Sequence, residues 1–519
     1  MINIKQIPEF NKASSILERI EKEGYEAYFV GGGVRDTLLG LPISDVDIAS
    51  SATPEEIKRF FPVTFDVGIQ HGTVMVLHEK ETYEITTFRT ESKYEKFRRP
   101  EKVNYVRSLR EDLKRRDFTI NAIALNRQGQ LEDPFDGQRD IKAKIIRAVG
   151  NPSERFREDA LRMMRAARFM SQLAFEVEEN TKEAVRYYHP LLSKIAVERT
   201  REEWTKLLIG RNRKGGIKFF VETRLFQMCP GFQNRGDDLI DLALFPLQFQ
   251  SPLMAWTVLL YFLKITDEEA TGFLRAWKLS NKEITNVRIA LTALRARLEH
   301  FWDNQLLFET GVDIALEIEH IVTGFGIEND INRLLALDKT LPIHSAQDMK
   351  INGNDVIQLL GFNRGGPYLG VILNDVKKRI INQQLANDEA AIKDFILKRR
   401  SIYLDEVSYS NFTVKKEDCD DSFDFTDHAF LSSSRLIFYI EEACKAMIEG
   451  LLEDDDVSVS RFISLNYHST TGLGSNVEIE SRIKELSSKA YSFSLVVRSD
   501  DDIIAIGEHK RKIIKKKSL

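Results

Sequence analysis

Apolar and polar positions change rhythm three times along the chain. Over residues 1–150, β-rich runs (Tyr28–Val30, Thr73–Leu77, Tyr83–Phe88) mix with amphipathic segments such as Ala13–Glu23. Strand and helix periods interleaved in this way predict an α/β or α+β domain. From Pro152 to about Arg400 apolar residues recur at helical spacing, as in Asp159–Ser171, Thr200–Ile209, Pro252–Phe262 and Leu369–Asn382. This predicts an all-helical middle, with stops at Gly210, at Gly324 to Gly326 and from Gly361 to Pro367. An acidic, aperiodic stretch over 401–427 marks a further boundary. Beyond it come one long helix, Ser434–Leu452, and four alternating runs, Val457–Leu465, Asn476–Glu485, Ala490–Arg498 and Ile503–Ile514. One helix against an antiparallel sheet is the economical reading. No fixed-period repeat is present.

Composition narrows the class. A length of 519 residues predicts several domains. With 43% hydrophobic and 29% charged residues, 28 glycines and 13 prolines, wholesale disorder, collagen and a disulfide scaffold are excluded. The three cysteines, Cys229, Cys419 and Cys444, are too few and too scattered for a disulfide framework or a CxxC metal site, which fits a reducing cytosol. The opening MINIKQIPEF lacks signal or transit character and no run approaches 18 apolar residues, so a cytoplasmic protein without membrane contact is expected. A formal charge of −5 argues against blanket nucleic-acid binding, but it is an average. Between residues 89 and 116, eleven Lys/Arg stand against five Asp/Glu. This is a basic patch of the kind that meets phosphate.

The most informative segment runs from Tyr28 to Ile48, YFVGGGVRDTLLGLPISDVDI. A strand enters a glycine turn and a helix leaves it, so backbone amides and a helix N-terminus can approach an anion. Asp36 occupies the third glycine position of a GxGxxG motif and no Lys-Ser/Thr follows, which removes the dinucleotide and P-loop readings. Asp45 and Asp47 lie at i and i+2, on one side of an extended chain. Two adjacent carboxylates repel, and a divalent cation relieves them; Mg²⁺ held by one or two carboxylates and substrate phosphates suits phosphoryl-type chemistry. Glu84 is the candidate third carboxylate. A lone DxD is ordinarily an exposed strand or turn; here the glycine turn through Gly32 and the adjacent Arg35 favour the metal reading.

With these residues the chain resembles the class II tRNA nucleotidyltransferases, the family of CCA-adding enzymes and bacterial poly(A) polymerases, in its Gram-positive form. The motifs stand in family order: GGGVRDTLLG with DVD, RRDFTINA (Arg115–Ala122), DPFDGQRD (Asp133–Asp140), EDALRMMRAARF (Glu158–Phe169) and VERTREE (Val197–Glu203), with INGNDV and LGF beyond residue 350. The resemblance covers about residues 1–400. It implies a nucleotidyltransferase head or palm over 1–150, a helical neck over 151–215, a body over 216–310 and a tRNA-binding tail over 311–400. It implies that Arg35 and Arg116 neutralise a triphosphate, guanidinium forks matching phosphate oxygens. It also implies that Asp159 accepts and Arg162 donates hydrogen bonds to the incoming base, with Arg165 and Arg168 in support. C or A would then be selected without a nucleic-acid template. From the residue types, Asp117, Asn121, Asp133 and Asp136 are expected to orient loops and cap turns. Tyr94–Pro100 resembles the family's flexible loop, with Lys96 where the family has aspartate. Implied partners are tRNA, ATP and CTP, and the implied cofactor is Mg²⁺. The alternatives within this reading are a poly(A) polymerase and an RNA-binding protein with an inactive palm.

Residues 401–519 resemble a hotdog-fold thioesterase of the fluoroacetyl-CoA type through LIFYIEEACKAM (Leu436–Met447), HSTTGLG (His468–Gly474) and IGEHKR (Ile506–Arg511). The family's threonine, glutamate and histidine would fall at Ser433, Glu441 and His468. Three roles stay open for this α+β domain: an active thioesterase, an acyl-CoA-binding sensor, or a module that pairs the chain into a homodimer.

Overall fold

A computed structural model describes residues 1–66, 72–91, 94–95, 99–100, 103–361, 367–399, 407–419, 429–449, 452, 456–486, 490–500 and 502–515. Contacts divide the chain into two compact units, Met1–Trp302 with Val312–Leu334, and Asp303–Gly311 with Leu335–Leu519. Lys96, the departure in the flexible loop, lies outside the described residues, as does most of the acidic stretch over 401–427.

The first unit opens with helix α1 (Pro8–Lys22), strand β1 (Ala27–Val30), helix α2 (Gly32–Leu39), strand β2 (Asp47–Ser50), helix α3 (Pro54–Phe60) and strands β3 (Thr64–Phe65), β4 (Thr73–His78) and β5 (Glu81–Thr87). Short strands β6 (Arg89–Glu91), β7 (Tyr94–Glu95), β8 (Arg99–Pro100) and β9 (Val103–Tyr105) follow. After them come helix α4 (Leu109–Lys114), strands β10 (Ala124–Leu125) and β11 (Leu131–Glu132), helix α5 (Gly137–Ala143) and strand β12 (Ile145–Ile146). Seven strands form one sheet in the order β11-β10-β1-β2-β5-β4-β3. Only β2 and β5 pair in parallel, with Asp47 opposite Glu84; the other neighbours are antiparallel. The apolar face of α1, Phe10, Ala13, Ile16, Leu17 and Ile20, is at most 1% exposed. Phe10 stacks on Phe29 of β1 with ring centroids 4.5 Å apart. Each large side chain so buried contributes about 1.5–3 kcal/mol.

Helices α6 (Pro152–Glu158), α7 (Leu161–Leu173), α8 (Glu179–Tyr188) and α9 (Val197–Ile209) come next, with strand β13 (Glu176–Val177) between α7 and α8. β13 pairs in parallel with β12, so the expected all-helical middle contains one strand. The predicted helix beginning at Asp159 is also interrupted: Asp159 is extended (φ −136°, ψ 104°) and joins α6 to α7. Trp204 of α9 is fully buried among Phe220, Phe232 and Trp277, which ties α9 to the helices that follow. Among these, Pro252–Phe262 matches its predicted bounds.

In the second unit, helices Gly353–Leu360, Pro367–Ile381 and Glu389–Lys398 share a core of Val356, Leu360, Ile372, Val376, Ile380 and Ile392. Strands β14 (Ser408–Thr413), β15 (Asp456–Tyr467), β16 (Asn476–Leu486), β17 (Ala490–Ser499) and β18 (Asp502–Lys515) form an antiparallel sheet in the order β14-β16-β17-β18-β15. Leu436, Ile440, Cys444 and Ile448 of the helix Ser433–Glu449 pack with Val477, Ile479, Phe493, Leu495 and Val497 of the sheet. The alternation read from the sequence is realised here as burial of every second residue along β17. Among the described residues no helix is long and apolar enough to cross a membrane.

Candidate active site

Strand β1 ends at Gly31, whose φ of +75° lies in the left-handed region that glycine adopts at no steric cost. A Cβ at Gly31 would sit 3.0 Å from Asp47 Oδ2 and 3.6 Å from an Arg116 amine, so the turn is the floor on which carboxylate and guanidinium meet. Helix α2 starts at Gly32. Asp47 begins β2, whereas Asp45 stands before the strand, not within it as the sequence predicts. Ser44, Asp45 and Asp47 form the shared wall of two clefts. The larger, of about 770 Å³, is basic; its lining includes Arg35, Arg115, Arg116, Arg162, Arg165, Arg168, Arg199 and Lys206 along with Asp159. The smaller, of about 570 Å³, is acidic and includes Glu9, Glu81 and Glu84.

Burial raises the Asp47 carboxyl above its ordinary value; Arg116 opposes the rise and Asp45 adds to it. Burial followed by Asp47 and Asp45 raises Glu84 in the same sense. These oxygen-only carboxylates are the hard donors a divalent cation such as Mg²⁺ takes. Among the described residues no three His, Cys, Asp or Glu side chains converge into a metal cluster, so Glu84 stands beside the aspartate pair, one strand away, and not in a closed triad with it.

The arginines are held by a buried polar network. Arg35 is 9% exposed, contacts Asp36 at 2.8 Å and donates to Asn121 at 2.7 Å. Asn121 donates to Asp117 Oδ1 at 3.1 Å, and Arg165 donates to Asp117 Oδ2 at 2.6 Å. Burial alone would push the Asp117 carboxyl up, but Arg165 and Asn121 overcome it and hold the group well below the usual carboxylate range. Asp117 and Asn121, expected only to orient loops and cap turns, are the links between two cleft-lining guanidiniums, those of Arg35 and Arg165. Asp133 behaves as expected, accepting the backbone N–H groups of Gly137 and Gln138. Arg168 pairs with Glu203 at 3.1 Å, and the guanidiniums of Arg35, Arg165 and Arg168 surround the Phe169 ring at 5.0, 5.3 and 4.2 Å. Burial and neighbouring Arg165 lower the Arg168 group to about 10. Arg116 reaches Asp112 at 3.2 Å, and its Nε is buried without a partner among the described residues.

Between α6 and α7, Asp159 Oδ1 accepts the Leu161 N–H at 3.0 Å and Oδ2 meets Arg199 at 3.0 Å. Arg162 donates to Glu158 at 2.7 Å, to the Arg155 carbonyl at 3.1 Å and to the Arg115 carbonyl at 2.8 Å. The sequence reading gave Arg199, Glu203 and Lys206 no role, although their i, i+4, i+7 spacing is a legible helical stripe.

In the C-terminal domain Ser433 is the exposed first residue of its helix, Glu441 is half-buried and His468 is exposed at the end of β15. The hydrogen bonds seen among the described side chains include none that joins these three. Another histidine is buried: His509 is fully buried, with Nε2 3.0 Å from Ser460 Oγ and Nδ1 without a partner among the described residues. Burial and Arg511, opposed by Glu441, lower it to about 4.

A glycine turn, a paired carboxylate and a guanidinium-lined cleft beside them define a nucleotidyltransferase. The sequence profiles agree: Poly A polymerase head domain over residues 27–147, RNA and SrmB-binding site of polymerase A over 174–234, tRNA nucleotidyltransferase domain 2 over 247–396, and Fluoroacetyl-CoA-specific thioesterase over 414–517. The chain is 47% identical over 394 residues to the CCA-adding enzyme of Enterococcus faecalis, covering 76% of this chain and 97% of that one. It is 49% identical over 390 residues to that of Ligilactobacillus salivarius, covering 74% and 96%. The crystal structure of the Bacillus stearothermophilus CCA-adding enzyme in complex with CTP matches with a TM-score of 0.69 at 40% identity, over 76% of this chain and 98% of that one. The chain belongs to the CCA-adding enzyme family, with a fluoroacetyl-CoA-thioesterase-like domain after it. The family uses divalent metal ions.

Proposed function

We propose that this chain adds C, C and A to the 3′ end of tRNA from CTP and ATP, releasing pyrophosphate, with Mg²⁺ as the divalent ion and the protein as template. The observation that carries the reading is that one cleft joins Asp45 and Asp47 on one wall to Asp159 and Arg162 on another. The terminal 3′-hydroxyl of the primer attacks the α-phosphate in line, and pyrophosphate leaves. Asp45 and Asp47 would hold the metal, which when bound lowers the hydroxyl pKa and offsets charge on attacking and leaving oxygens. Arg116, facing the Gly31 turn, and Arg165 and Arg168, already held by carboxylates, neutralise the triphosphate without reorganising. Asp159 and Arg162 read the base edge, and Arg35 braces the floor through Asn121. We place the head, neck, body and tail over 1–150, 151–215, 216–310 and 311–400, the tail gripping the tRNA backbone by shape; three free cysteines suit a cytoplasmic setting.

Purified full-length protein given tRNA lacking CCA and each nucleotide separately should incorporate C from CTP and then A from ATP. Unlimited A-tailing without C incorporation would instead mark a poly(A) polymerase, and no incorporation an inactive palm. For residues 401–519 the matched profile and sheet order support an acyl-CoA ligand. Hydrolysis of short acyl-CoAs by the full chain, abolished in Glu441→Ala, is expected of a thioesterase. Binding without hydrolysis would mark a sensor, and neither, with a dimer in sedimentation, a pairing module.

A further inference from the structure

Helix α9 turns a charged stripe toward the basic cleft. Arg199 and Lys206 line the cleft, and Glu203 between them holds Arg168. Arg199 lies in the first turn of α9, where the positive end of the helix dipole disfavours a cation, so its placement needs an external partner. That partner is Asp159, 3.0 Å away, with side chains 30% and 18% exposed. Asp159 belongs to no helix; its extended backbone between α6 and α7 leaves the side chain dependent on what grips it. The grip has two points, the Leu161 N–H on Oδ1 and Arg199 on Oδ2. An ionised carboxylate offers about four acceptor sites, so two anchors fix its plane and leave acceptor sites free for a ligand. The second terminal nitrogen of Arg199, Nη1, is buried without a partner among the described residues, so the guanidinium is not fully engaged by the protein.

We propose that Arg199 is a positioning residue for nucleotide selection. It locks Asp159 in one plane as an obligate acceptor, which suits the exocyclic amino group shared by cytosine and adenine and repels the carbonyl that uracil and guanine carry at the same edge. The inference rests on Asp159 being the base acceptor. Without Arg199 the carboxylate keeps its Leu161 anchor but can swing about it, and the alignment that separates amino from carbonyl is lost.

The test is steady-state incorporation by the full-length protein on tRNA lacking CCA, with CTP and UTP compared for the parent, Arg199→Gln, Arg199→Lys and Asp159→Ala. In R199Q the ratio of kcat/KM for CTP over UTP should fall about tenfold, the discrimination of one well-placed polar contact at a base edge. The loss should sit mainly in KM for CTP, with an unchanged unfolding temperature. R199K, which keeps the charge but not the two-pronged fork, should fall between R199Q and the parent. A parental ratio in folded R199Q, or in R199K if R199Q does not fold, alongside a lost ratio in D159A, overturns the proposal. A parental ratio in D159A itself overturns the assignment of Asp159 on which it stands.

Discussion

The Asp117 carboxylate gives the sharpest quantitative prediction. It is 8% exposed and accepts from the Phe118 N–H, Asn121 and Arg165 at 2.8, 3.1 and 2.6 Å. Asp117→Asn keeps the shape and removes the charge, leaving Arg165 beside Arg168 with Glu203 as its remaining carboxylate partner, 4.0 Å away. At an effective dielectric of about 20, unit charges about 4 Å apart attract by about 4 kcal/mol. Breaking one side of a buried pair destabilises by about 3–5 kcal/mol. Because Glu203 partly compensates, the lower end of that range is expected, about 3 kcal/mol, or a fall of about 4–8 °C in Tm for a unit of this size. The folded value of Asp117 lies below its unfolded value, so its contribution is fully present above the unfolded carboxylate pKa and is lost as pH falls through the folded one. The difference between parent and variant should therefore be flat from pH 6 to 8 and shrink only below about pH 4. Pyrophosphate should restore more Tm in D117N than in the parent, because it supplies Arg165 with the anion it lost. Calorimetry of the full chain measures all three effects. A variant within about 1 kcal/mol of the parent, or a difference that varies between pH 6 and 8, would refute the reasoning.

Three further outcomes follow. Gly31→Ala forces a side chain onto a backbone at φ 75°, ψ −140°, a region kept almost to glycine and costing about 1–3 kcal/mol, and puts a methyl carbon 3.0 Å from Asp47 Oδ2; incorporation should fall about 100-fold, as for a 1 Å misplacement, and activity within about twofold of the parent would count against the floor assigned to Gly31. Chelation of divalent ions should stop incorporation, and added Mg²⁺ should restore it in the parent but not in Asp45→Ala or Asp47→Ala; rescue in either variant would remove that aspartate from the metal site. In the C-terminal domain, His509 is held neutral at about 4, below its unfolded value, so the unfolded chain takes the proton first. The second unit should lose on the order of 3 kcal/mol between pH 6.5 and 4, and a transition as steep in His509→Gln as in the parent would show that another group is responsible.

Much of the fold was legible because it is local. The period-two runs became β1, β4, β5 and β15 to β18, and Gly210 and Gly361 end helices as their position in the pattern suggested. The paired aspartates and the glycine turn were also legible, since both lie in one 21-residue segment. What escaped is non-local. The residues from Asp159 onward read as one helix, but nothing nearby shows that Asp159 stands outside it and pairs with Arg199, 40 residues on. The same limit applies to His468 and His509: sequence motifs singled out the former, while burial, a property of the assembled sheet, singles out the latter.

The wall that carries Asp159 and Arg162 and the wall that carries Asp47, built from segments over 100 residues apart in sequence, are tied together at one helix end. Arg162 donates to the carbonyl of Arg115, and Arg155 to the carbonyl of Lys114, at 2.8 and 3.1 Å. Both acceptors lie at the free C-terminal end of α4, whose orphan carbonyls favour cations. Arg115 and Arg116 in turn grip Asp112, fully buried one turn earlier, and Arg116 faces the Gly31 turn and Asp47. Arg162 and the guanidinium beside Asp47 are thus joined through the end of α4. On the proposed roles of Asp159 and Arg162, base selection and the placing of Arg116 beside Asp47 would then draw on one set of hydrogen bonds.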